Sequence, residues 1–64
     1  MSTLSNAAAI LRLFAPDRLE VSVTDVSRIL GMPKSSASRL LRAMLKEGLL
    51  ARMENSPRYK VGNL

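Results

Sequence analysis

Apolar side chains return at Leu4, Ala7, Ala8, Leu11 and Phe14, three and four residues apart, and this spacing predicts a first helix. Thr3 stands where an N-cap hydroxyl would accept from a free amide. Ala15-Pro16-Asp17 stops the helix, because residues before proline avoid the helical region. Leu19-Glu20-Val21 is too short for more than a scrap of strand. Ser22, followed three residues later by Asp25, has the form of a capping box and opens a second helix with Val26, Ile29 and Leu30 on one face. Gly31 ends it, since glycine takes the left-handed conformation at little cost. Pro33 fits the first turn of a third helix, which runs to about Glu47 and closes at Gly48. Its apolar residues Ala37, Leu40, Leu41, Met44 and Leu45 form a core-facing stripe.

After Gly48 the period changes. Leu49–Met53 reads as a short strand, Glu54-Asn55-Ser56-Pro57 as a turn and Arg58–Val61 as a second strand. The expected fold is therefore mainly α with a small β-hairpin: a winged helix-turn-helix, three helices plus a wing, in one domain spanning residues 1–64.

Composition narrows the function. The chain has 64 residues, no cysteine and no histidine, so neither a disulfide framework nor a zinc staple is available to support it. An apolar share of 47% is enough for a core. No apolar run approaches the roughly 18–20 residues that span a bilayer, and the N-terminus lacks the basic start of a signal peptide. The expectation is a cytoplasmic protein with no membrane partner. The charge is lopsided. Residues 1–31 balance to zero, and the whole excess of +5 lies in residues 32–64. Such asymmetry points to an anionic partner for the C-terminal half.

On a helical wheel, Ser35, Ser38, Arg39, Arg42 and Lys46 fall on one side of the third helix, with Ser36 at its flank near the helix start. Short polar residues at the leading end allow close approach of the backbone, and cations follow behind them. This suits the major groove of double-stranded DNA, about 12 Å wide, where arginine can grip guanine O6 and N7 together. Ser35, Ser36 and Arg39 are the candidates for base edges. Lys34, Ser38 and Arg42 are candidates for bases or phosphates. Lys34 opposes the helix dipole and makes more sense as a phosphate contact than as a helix stabiliser. A helix whose serines only cap and whose cations only solubilise is the bland alternative. It weakens because two helices joined by a three-residue turn precede the stripe, with small Ser27 expected where they touch.

The stretch DVSRILGMPKSSASRLLRAMLKEGLL, residues 25–50, resembles the DNA-binding domain of the IclR-type bacterial transcriptional regulators, whose pattern is approximately E-L-A-x-x-x-G-L-P-K-S-T-V-x-R-L-L-x-x-L-x-x-x-G-Y. Ala8–Leu11 is similar to that family's first helix, and Arg58-Tyr59-Lys60-Val61-Gly62 to its second wing strand. The resemblance implies a recognition helix starting at Pro33 or Lys34, with Ser35, Ser36 and Arg39 facing the groove. It also implies phosphate contacts from Ser22 at the start of the second helix and from Arg58 in the wing, and a place at the bacterial nucleoid; Lys60, on the same strand as Arg58, is a further phosphate candidate. Ser27, Ser36, Ala37 and Pro57 depart from the pattern, where Ala, Thr, Val and Gly are usual. Family members continue through a linker helix into an effector-binding domain, so the resemblance implies one domain of a longer regulator. No small-molecule ligand and no cofactor is expected on this segment.

Other classes fit less well. A winged helix that binds protein instead of DNA would show apolar residues on the exposed side of the third helix, and only Ala43 lies there. RNA readers display aromatics for stacking, and here only Phe14 and Tyr59 are available. An enzyme lacks a base to activate any of the serines. DNA-binding domains of this size commonly work in pairs on two half-sites. Ala7, Ala9 and Ile10 exceed what a core needs from the first helix and are a candidate homodimer contact.

Overall fold

A computed structural model describes residues 2–62. Helix α1 spans Thr3–Leu13, α2 Val23–Leu30 and α3 Lys34–Lys46; strands β1, Leu50–Arg52, and β2, Tyr59–Val61, pair antiparallel with Leu50 opposite Val61 and Arg52 opposite Tyr59. The expected architecture is the observed one, with local corrections that change which residues are available.

The cap of α1 is Ser2, whose Oγ accepts from the Ser5 amide at 3.0 Å, and Thr3 is already helical. The inward face of α1 is also rotated from expectation. Ile10 is fully buried, with Ala7, Leu11 and Phe14 packed beside it, while Leu4 is 80% exposed. Ile10 thus belongs to the core and is not spare surface for a dimer contact. Counting the stripe from Leu4 missed this, because a helix end can overhang the core it approaches.

Helix α2 starts as expected. The Ser22 hydroxyl accepts from the Asp25 amide at 3.1 Å, and the Asp25 carboxylate accepts from the Ser22 amide at 3.0 Å. Its inward face is Val23, Val26 and Leu30; Ile29, expected there, is 39% exposed. Gly31 closes the helix at φ 68°, where a side chain would strain the backbone. Ser27 then secures the turn into α3. Its hydroxyl donates to the Met32 carbonyl at 2.6 Å, and its own carbonyl accepts from the Met32 amide at 3.1 Å. The serine that stands where the family pattern has alanine therefore acts as a side-chain brace.

The core gathers Ile10, Val21, Val26, Ala37, Leu41, Met44, Leu50 and Tyr59 from every element. Burying one Val, Leu or Ile side chain contributes about 1.5–3 kcal/mol, so this small set carries most of the favourable free energy of so short a chain. Tyr59, weighed above as an exposed stacking residue, is only 2% exposed and packs inward. Val21 joins it: the two residues exchange backbone hydrogen bonds of 2.9 and 2.8 Å, which tie the wing to the segment before α2. The scrap of strand at residues 19–21 is thus one bridge. Gly62 must be glycine for a different reason, since a Cβ there would sit 2.4 Å from the Gly48 carbonyl oxygen.

Candidate nucleic-acid interface

The third helix divides as its sequence pattern demands. Ala37, Leu41 and Met44 are buried against α1, α2 and the hairpin, and Leu40 and Leu45 pack at the margin. The opposite side, formed by Ser35, Ser36, Arg39, Arg42, Ala43 and Lys46, is exposed, as is Lys34 at the helix start, with Ser38 half-buried at its edge. Pro33 precedes the helix without offering a side-chain cap. Among the described residues, none of these serines, arginines or lysines makes a side-chain hydrogen bond or a salt bridge. The stripe is cationic, polar and uncommitted. A cation without a carboxylate beside it keeps its full attraction for an external anion. The apolar exposure that a protein-binding helix face would need is limited to Ala43.

Of the other predicted site residues, Ser22 and Arg58 have partners within the chain. Ser22 spends its amide and its hydroxyl oxygen on the capping box, and its hydroxyl also stabilises the Asp25 carboxylate. The Asp25 carboxyl is held below its usual range first by the Ser22 amide, then by the Ser22 hydroxyl and the Arg58 and Arg28 guanidinium groups, with burial working against them. Arg58 lies 3.4 Å from Asp25 and 3.5 Å from Glu20. Lys60 is exposed on β2 and has no carboxylate partner among the described residues.

Sequence reasoning missed three polar residues near these sites. Thr3 and Asn6 from α1 line a shallow groove with Ser36 and Arg39 of α3, although they lie thirty residues earlier in the chain. Only tertiary packing brings them there. Arg52 on β1 stacks its guanidinium 5.2 Å from the centre of the Tyr59 ring and donates to the Tyr59 hydroxyl at 3.4 Å. The strand alternation that buries Tyr59 would have pointed to its partner across the hairpin.

A second helix capped at Ser22, a braced three-residue turn, an exposed third helix and a terminal hairpin define a winged helix-turn-helix domain. Residues 3–54 match the model of the IclR helix-turn-helix domain, and the chain belongs to that family. It is 34% identical over 62 residues to the glycerol operon regulatory protein of Streptomyces coelicolor, covering 97% of this chain and 24% of that protein. It is 27% identical over 62 residues to the transcriptional regulator XynR of Escherichia coli, covering 97% of this chain and 25% of that one. The chain thus spans about a quarter of the length of these relatives. Among solved structures, an IclR homolog from Microbacterium hydrocarbonoxydans superposes with a TM-score of 0.85 at 28% identity, over 95% of this chain and 25% of that one. An IclR-family regulator from Brucella abortus shares the fold at a TM-score of 0.89 and 24% identity, over 98% of this chain and 24% of that one. The family is one of transcriptional regulators, not enzymes. No helix among the described residues is long and apolar enough to cross a membrane.

Proposed function

We propose that this domain binds double-stranded DNA sequence-specifically as the reading head of a bacterial transcriptional regulator, acting in the cytoplasm. Helix α3 enters the major groove. Ser35, Ser36 and Arg39 meet base edges, and Lys34, Ser38 and Arg42 meet bases or flanking phosphates. Lys60 from the wing and Ser22 at the start of α2 meet the phosphate backbone. Arg58 reaches phosphate only by leaving Glu20 and Asp25. The observation that carries this reading is the exposed stripe on α3, where no cation has an internal partner among the described residues. Two such domains on two half-sites would raise both affinity and specificity, and with Ile10 buried and Ala7 packed against the core, the half-buried Ala9 remains on α1 for a contact between copies.

The test is a fluorescence-anisotropy titration of random duplex DNA at several salt concentrations, followed by site selection from a random library. Affinity should fall linearly with salt on logarithmic axes, with a slope near 0.9 per neutralised phosphate. A folded domain that binds no duplex at low salt would overturn the reading.

A further inference from the structure

Three cations lie on the hairpin, Arg52, Arg58 and Lys60, and among the described residues only Arg58 is paired with carboxylates. Its Nε is 3.5 Å from Oε1 of Glu20, and its Nη1 is 3.4 Å from Oδ2 of Asp25. The three residues come from different places: the segment before α2, the first turn of α2, and the position just before β2. Oδ2 of Asp25 also accepts from the Ser22 amide at 3.0 Å. One carboxylate oxygen thus closes the start of α2 and holds the wing. The next residue along from Glu20 is Val21, and the next from Arg58 is Tyr59. These are the two residues that exchange backbone hydrogen bonds between the wing and the body.

The local charge argues against a phosphate contact here. Arg28 lies 3.5 Å from the other Asp25 oxygen, so two guanidinium groups face two carboxylates and the cluster is neutral. A phosphate taking Arg58 would leave Glu20 and Asp25 facing it. The geometry also uses the fork of arginine, since Nε and Nη1 go to different carboxylates. A lysine, as a point charge, would serve a phosphate but not both partners.

We propose that Arg58 is a positioning residue: with Glu20 and Asp25 it forms an ionic clasp that fixes the wing against the start of α2, and so sets where Lys60 meets the DNA backbone. The last clause rests on the DNA-binding reading above, whereas the clasp itself does not.

The experiment compares wild type, Glu20→Gln and Arg58→Lys in two measurements. The first is amide hydrogen exchange at Val21 and Tyr59 in the free protein. Both variants should exchange about 2- to 10-fold faster there, while amides within α3 keep their rates. The second is duplex affinity across a salt series. Glu20→Gln removes a negative charge and by electrostatics alone would tighten binding. The clasp predicts the opposite sign, a weakening of about 2- to 5-fold at fixed salt, the scale of one lost ion pair, with an unchanged salt slope. Arg58→Lys should weaken binding alike. Unchanged exchange in both variants would overturn the clasp. So would tighter binding by Glu20→Gln together with wild-type affinity in Arg58→Lys, the pattern of a phosphate contact. If wild type binds no duplex, the DNA reading fails, and the exchange rates alone then uphold or overturn the clasp.

Discussion

The starts of α2 and α3 place the same kind of residue in the same kind of position and use it in opposite ways. At α2, Ser22 accepts from the Asp25 amide, Asp25 accepts from the Ser22 amide, and two arginines surround the carboxylate. At α3, Ser35 and Ser36 are exposed behind a proline that offers no cap, and the cations along the same face have no internal partner among the described residues. One helix start is closed upon itself and the other is left open to an external ligand. Polarity alone does not mark an interface. Unspent polarity does, because a hydroxyl or guanidinium already satisfied within the chain must lose a partner before it gains another.

The sharpest way to break this contrast is at Arg39. Arg39→Ala should cost about 1–3 kcal/mol of affinity and relax preference at one base pair if the side chain reads a guanine. The melting temperature should stay near wild type, because an exposed substitution away from caps and cores usually changes stability by less than about 0.5 kcal/mol. Equal losses on every DNA sequence would make Arg39 a phosphate contact. The mirror experiment is Ser22→Ala. Removal of an N-cap should cost about 1 kcal/mol of stability by denaturant unfolding. A smaller loss would mean that the capping box is not what holds the start of α2.

Acid should separate the two regions next. Asp25 has a lowered pKa in the folded protein, so its contribution to stability is complete above the ordinary carboxylate value of 3.8 and is lost as pH falls through the lowered folded value. Asp25→Asn should therefore be less stable than wild type at neutral pH, with the gap closing in acid, as paired thermal melts would show. The smallest effect is expected at Ser38→Ala. Alanine is the better helix former, so stability should rise by up to about 0.5 kcal/mol while duplex affinity falls. A rise in both would remove Ser38 from the interface.

Much of the molecule was legible before its structure. The α2 capping box, the Gly31 turn and the Ala37–Leu45 stripe follow from short-range rules, and all three stand where the pattern puts them. The less legible features depended on distant partners. Ile10 looked spare because the limits of the core could not be counted from α1 alone. Tyr59 looked like a wing aromatic until Val21, thirty-eight residues away in sequence, paired with it and drew it inward. The wing itself was visible as two strands, yet its attachment to the body was not.

The sequence by itself determined the helices, the turn between α2 and α3, and the face of α3 that carries serines and cations, because periodicity, caps and glycine conformations act over three or four residues. Only the tertiary structure decided which polar residues are free. Arg39 and Arg58 are indistinguishable as letters, and each has an arginine's reach. Folding sets Glu20 and Asp25 beside Arg58 and leaves Arg39 without a carboxylate partner among the described residues. Charge neutralisation acts through a few ångströms of space and takes no account of separation along the chain, so that distinction had to wait for the fold.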